Sequence, residues 1–110
     1  MLKHAPDNAL NSVADGLKTT LGNNTWPISR DLFDDIFTVS EQEILTSTKM
    51  VWERLKVCIE PSAGVGVAVA MGDEFNCKYS APKIKTVAVI LCGGNVDIIS
   101  TAKKMNKLGL

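Results

Sequence analysis

The stretch Thr86-Val87-Ala88-Val89-Ile90-Leu91-Cys92-Gly93-Gly94-Asn95 decides the fold class. After Thr86 it is apolar without interruption and rich in β-branched residues, the pattern of a parallel strand covered on both faces. It stops abruptly at two glycines. In open α/β sheets, ligands bind beyond the carboxyl ends of strands. Gly93 and Gly94 let the backbone approach a ligand closely, and Cys92 and Asn95 put polar atoms beside it. A tight strand-to-helix turn that binds nothing accounts for the same residues, because so short a motif is only a hypothesis.

Working outward, residues 63–71 are small and almost wholly apolar. Periodicity alone leaves strand and helix open there. Length and the position of Pro61 favour a helix beginning after Glu60. Further upstream, Ser40-Glu41-Gln42-Glu43 fits a capping box. Beyond it Ile44, Thr48, Val51 and Leu55 share one helical face with Trp52 beside them. Ile36 to Val39 reads as a short strand. Thr25 is a candidate N-cap with Pro27 in the first turn, and Ile28, Leu32 and Phe33 form an apolar face behind it. Met1 to Asn24 reads as a loop with one short helix around Leu10, Val13 and Leu17. Gly72 to Pro82 reads as a polar linker, and Asp97 to Lys107 as weakly helical. Strand, helix, helix, strand, helix is the order of an α/β layer architecture.

Composition narrows the function classes. The 110 residues make one compact unit, 45% apolar and 22% charged, as in globular proteins. Twelve basic side chains balance twelve acidic ones, so no net field draws in nucleic acid or an anionic membrane. Lys103, Lys104 and Lys107 form a solvated face. No apolar run approaches the roughly 20 residues that span a bilayer, and the start has no signal-peptide core. Cys58, Cys77 and Cys92 lack metal-ligand spacing and are expected as reduced thiols of a cytoplasmic protein.

Several segments, taken in order, resemble one family. They are Val13-Ala14-Asp15-Gly16, Gly22-Asn23-Asn24-Thr25-Trp26-Pro27-Ile28, Arg30-Asp31-Leu32 and Asp34-Asp35-Ile36-Phe37-Thr38-Val39. Val51-Trp52-Glu53-Arg54, Ile59 through Ala68, and Gly93-Gly94-Asn95-Val96-Asp97 continue the series. Together they resemble the serine racemase and serine/threonine dehydratase (ammonia-lyase) family of pyridoxal-phosphate enzymes. The likeness is strongest to eukaryotic members, through Asn-Thr-Trp-Pro-Ile and Gly-Gly-Asn-Val-Asp. It implies the fold-type II, tryptophan synthase beta-like architecture, an α/β fold with a parallel sheet flanked by helices. Within it, the chain would be the C-terminal part of the large domain. Residues 1–12 match poorly, 13–97 are family-like, and 98–110 form a tail.

The resemblance also implies site residues. At the Cys92 position the family places a serine or cysteine facing the pyridine nitrogen of pyridoxal 5'-phosphate. A hydroxyl or thiol there, instead of a carboxylate, makes the ring a weaker electron sink and suits elimination and racemisation of small hydroxy amino acids. Cys92 in place of the racemase serine tilts the expectation toward dehydratase chemistry. A buried apolar thiol is the plainer alternative. Gly16 matches the glycine lying against a face of the cofactor ring, or else it merely ends a turn. Glu60 matches a glutamate close to the cofactor, or else it favours the following helix N-terminus. Gly93 and Gly94 belong to the same wall. Lys56 and Asn95 match positions that bind an activating ATP between subunits, and Lys56 alternatively is a solvated lysine at a helix C-terminus. Asn24 matches a position near an activating Mg2+ or Ca2+.

The family's Schiff-base lysine lies in a Ser-x-Lys-x-Arg-Gly segment that does not occur in this sequence, and its glycine-rich phosphate loop is missing too. Gly64-Val65-Gly66 is no substitute, since Val69 occupies the third glycine position of a dinucleotide motif. No residue of the chain is therefore assigned as catalytic. The expectation is a truncated isomerase/lyase, inactive alone, whose intact relatives act on serine and threonine as homodimers. Two alternatives stand beside it: a non-catalytic fragment that docks on a full-length homologue, and the product of a partial gene.

Overall fold

The computed structural model describes residues 11–79 and 84–110, so Leu10, most of the poorly matching start and the end of the expected linker lie outside it. Among the described residues there are five α-helices: α1 (Trp26–Leu32), α2 (Glu41–Leu55), α3 (Pro61–Met71), α4 (Asp73–Lys78) and α5 (Ile98–Lys107). A 3-10 turn, Asp15–Leu17, precedes them.

The capping box forms as the sequence predicts. Ser40 N–H donates to Glu43 Oε2 at 2.6 Å, and Glu43 N–H donates to Ser40 Oγ at 3.3 Å. These bonds hold the Glu43 carboxyl below its ordinary range, the Ser40 amide being the larger cause and its hydroxyl the next. Ile44, Leu45, Ser47, Thr48 and Val51 are buried, whereas Leu55, expected on the same face, is 59% exposed. Lys56 closes the helix in the left-handed region at φ 58°.

Residues 61–71 are a helix, resolving the open choice, with buried Pro61 in the first turn. Their small side chains set how closely α3 lies on α2. The single Ser47 hydroxyl proton is shared between Gly64 O at 2.8 Å and Ile44 O at 3.0 Å, and Thr48 Oγ1 donates to Ile44 O at 2.7 Å. A Cβ on Gly64 would collide with Thr48 Oγ1. Polar groups thus enter the helix interface fully hydrogen-bonded, which removes most of their burial cost. Below them Val51, Ile59 and Ala63 form the core with Trp52 and Val67 around it, and Trp52 Nε1 donates to Ile59 O at 2.8 Å.

Both expected strands need correction. Residues 36–39 and 86–91 belong to no regular element, and no β-ladder forms among the described residues. A strand is made by its neighbour, and an isolated extended segment has no partner for its N–H and C=O groups. The parallel sheet is therefore not seen here. Residues 86–91 lie along α3 instead, with Val89 Cγ1 3.2 Å from where a Cβ of Gly66 would stand, while Ile90 is 82% exposed.

Two further expectations change. The linker contains α4, whose Asp73 and Glu74 at the start and Lys78 at the end suit the helix dipole. Phe75 and Tyr79 pack edge-on against Phe37 at 5.7 and 6.1 Å, and Tyr79 Oη donates to Asp35 Oδ2 at 2.9 Å. Lys78 pairs with Asp35 and is the first cause, ahead of Tyr79, of the lowered Asp35 carboxyl. Thr25 occupies the N-cap position of α1, but its hydroxyl donates back to Gly22 O at 3.1 Å and caps nothing. The apolar face of α1 stays exposed at Ile28, Leu32 and Phe33. The tail helix α5 is capped by Asp97, which accepts from Ser100 N–H at 3.0 Å, and buries Thr101 and Met105.

Candidate functional site: a glycine wall at the head of α3

The site is built where three separate stretches meet at the N-terminus of α3. Pro61 starts the helix and leaves Glu60 extended at φ −76°, ψ 157°. The Glu60 N–H donates to Gly93 O at 3.2 Å, tying the Cys-Gly-Gly-Asn turn to the helix head. Gly93 sits at φ +75°, a conformation costly for any residue with a Cβ. A Cβ there would also fall on the Glu60 carboxylate. Gly94 passes the preceding chain, its missing Cβ 3.3 Å from Cys58 O, and Val96 N–H donates to Gly94 O at 3.0 Å.

Gly16 arrives from the other side. Its N–H donates to Ser62 Oγ at 3.0 Å, and a Cβ would approach that oxygen to 3.2 Å. Asp15, Glu60, Ser62, Asn95, Asp97 and Lys104 line a cavity of about 210 Å³ between these segments. Lys18 bonds Asp15 at 2.5 Å and is the main cause of its lowered carboxyl, with a smaller contribution from Lys104.

Most of the sequence-predicted wall therefore converges: Gly16, Glu60, Gly93, Gly94 and Asn95 surround the head of α3. Cys92 directly precedes this turn and is exposed, not the buried thiol of the plainer alternative. Lys56 stands apart at the end of α2, where its Nζ donates to Glu53 O at 2.6 Å. That is the behaviour of a lysine at a helix C-terminus, and no hydrogen bond joins it to Asn95 among the described residues. Asn24 lies exposed in the turn before α1. Among the described residues no three His, Cys, Asp or Glu side chains gather as a metal-binding group.

Ser62 was not singled out from sequence. A hydroxyl in the first turn of a helix normally serves its own helix, and only the fold shows it receiving the Gly16 amide from 46 residues away. The cavity's polar lining includes the Ser62 and Ser100 hydroxyls, the Asn95 amide and three carboxylates. It does not suit a phosphate, because Asp15, Glu60 and Asp97 face a single Lys104 in the cavity.

The profile of the family described as pyridoxal-phosphate dependent enzyme matches residues 2–93. The chain is 52% identical over 90 residues to serine racemase of Homo sapiens, covering 82% of this chain and 26% of that protein. It is 43% identical over 104 residues to serine racemase of Dictyostelium discoideum, covering 94% of this chain and 31% of the relative. The crystal structure of the Dictyostelium discoideum serine racemase superposes with a TM-score of 0.74 at 44% identity, over 80% of this chain and 28% of that one. A pyridoxal 5'-phosphate-dependent aspartate racemase gives a TM-score of 0.72 at 41% identity, over 82% and 28%. The chain spans between a quarter and a third of the length of these relatives. No helix among the described residues is long and apolar enough to cross a membrane. The chain belongs to the family of pyridoxal-phosphate dependent enzymes.

Proposed function

We propose that this chain supplies one wall of the pyridoxal-phosphate site of a serine racemase/dehydratase, in the parallel-sheet fold of that family. The observation that carries the reading is the meeting of Gly16, Glu60 and Gly93 at the head of α3, each from a different stretch. Bound there, pyridoxal phosphate supplies an electron sink for amino-acid substrates such as serine and threonine. Cys92 offers the ring nitrogen a weakly hydrogen-bonding thiol rather than a carboxylate. Gly16 leaves the ring face clear, and Gly93 leaves room for Glu60 to flank it. Held by the Gly93 carbonyl, Glu60 keeps its backbone fixed while its carboxylate faces the site.

The phosphate seat and the cofactor-bearing lysine are matched by nothing in this sequence. On this reading catalysis, and dimerisation with it, requires the parts of the fold that the relatives hold beyond the matched quarter. Lys56 and Asn95 as ATP contacts, and Asn24 near Mg2+ or Ca2+, belong to the same assembled state.

Titration of the chain with pyridoxal phosphate, followed by quenching of Trp26 and Trp52 fluorescence, tests the wall. Saturable quenching that Gly93→Ala abolishes is the expected result. Quenching unaffected by that substitution would place the cofactor elsewhere and end the reading. Pyruvate formation from L-serine by the chain alone is expected to be nil. Turnover would show that catalysis needs no further part of the fold.

A second reading, docking on a full-length homologue, is favoured by the exposed apolar segments, above all Ile90 at 82% and Leu32 at 73% exposure.

A further inference from the structure

Glu41 stands at the first position of α2, beside the capping box but not part of it. Its two carboxylate oxygens are both engaged by a distant segment. Ser12 Oγ donates to Glu41 Oε1 at 2.6 Å, and Val13 N–H donates to Glu41 Oε2 at 2.7 Å. The same Ser12 oxygen accepts the Ala14 N–H at 3.1 Å. Ala14 is then buried at 2% exposure, and Asp15 N–H turns back to Val13 O at 3.0 Å. Gly16 follows at once and meets Ser62. The short run that delivers Gly16 to the wall is thus clamped at one end by a carboxylate on α2 and at the other by a hydroxyl on α3.

Both bonds to Glu41 have a charged acceptor, the stronger class of hydrogen bond. Neither bond involves an α2 backbone group, and the Glu43 amide at the helix start is met by Ser40. The arrangement holds a glycine loop in register with the head of α3, where Glu60 meets Gly93. From it we infer that Glu41 is the positioning residue for Gly16: it fixes the loop's distance from the wall and acts on the cofactor only through that glycine. The cofactor part of this inference rests on the wall described above; the loop part does not.

Glu41→Gln discriminates well. With its amide oxygen facing Val13 N–H, glutamine turns its NH2 group toward Ser12 Oγ, so the hydroxyl bond reverses direction and both contacts lose their charged acceptor. Hydrogen exchange on the cofactor-free 110-residue chain reads the loop directly. Exchange of the Val13 and Gly16 amides is expected to quicken about tenfold in Glu41→Gln, the effect of losing the charge on that acceptor. The Val51 amide in the core should be unchanged. Ser12→Ala removes the hydroxyl's bond to Glu41 and the one it accepts from Ala14 N–H, and should quicken the Ala14 amide along with Gly16 while the Val13 bond to Glu41 persists. In the fluorescence titration, pyridoxal phosphate should bind Glu41→Gln several-fold more weakly than the parent chain.

Faster exchange at Val13 with Gly16 unmoved would overturn the inference, because the clamp would then stop short of the glycine. Faster exchange at Val51 as well would overturn it too, making Glu41 a support of α2. Equal cofactor affinity in parent and variant, despite a loosened Gly16, would refute the positioning role. If the parent chain binds no cofactor, the wall reading falls, and the exchange rates still decide whether Glu41 holds the loop.

Discussion

Gly93 and Gly109 are a natural pair at the residue scale, because both adopt positive φ, 75° and 73°. A Cβ on Gly109 meets nothing within 4 Å, whereas one on Gly93 falls on the Glu60 carboxylate. Alanine at Gly109 should cost only the left-handed backbone strain, about 1 kcal/mol. Alanine at Gly93 should cost that and the displacement of Glu60, roughly 2–4 kcal/mol together. Urea unfolding of the two variants checks this. Equal losses would mean that Glu60 moves aside freely and that the turn does not depend on it. Gly93 and Gly94 were visible in the sequence as a strand-end wall, but the reason for Gly93 was not. Glu60 precedes it by 33 positions, and only packing reveals that the glutamate fills the missing side chain's place.

Among the elements, α2 was legible nearly in full because its signals are local. The capping box, the apolar spacing and the end near Lys56 all lie within one helix length. Ser40→Ala should lower stability by about 1 kcal/mol in urea unfolding, as for other lost N-caps. Unchanged stability would mean that the cap contributes nothing beyond solvent. The pH dependence has a definite sign. The Ser40 bonds lower the folded-state pKa of Glu43 below its unfolded value. Their stabilisation is therefore complete above the ordinary carboxylate range, about pH 4–5, and is lost as pH falls through the folded-state value. Ser40→Ala keeps the backbone amide, the larger cause, so it should shrink that acid limb only in part, whereas a limb that survives Glu43→Gln unaltered would belong to other carboxylates. By contrast, 36–39 and 86–91 were read as strands from residue type alone, and such reading cannot supply the neighbour that makes a ladder. Helix α4 went unseen because six residues between Gly72 and Tyr79 carry too little periodicity, although Asp73, Glu74 and Lys78 already marked its polarity.

For the molecule as a whole, the decisive quantity is apolar surface without cover. Ile90 is 82% exposed, Leu32 73%, Ile99 69% and Ile36 68%, spread over the two unladdered segments, α1 and α5. Single exposed hydrophobics are ordinary, but an extended apolar run with free backbone groups is a surface made for pairing. The buried core, in comparison, is the small group around Val51, Ile59 and Ala63. The chain alone should therefore bind a hydrophobic dye such as ANS and unfold over a broad urea range. Adding the complementary remainder of a serine racemase should suppress the dye signal and move the midpoint upward with its concentration, as binding to the folded state requires. Val89→Asp should weaken this effect less than Ile90→Asp, because Val89 already packs on α3 beside Gly66 while Ile90 faces outward. A monodisperse chain that ignores both the dye and the added remainder would show that these apolar segments need no cover, and the docking reading would then fail while the wall at α3 stood unaffected.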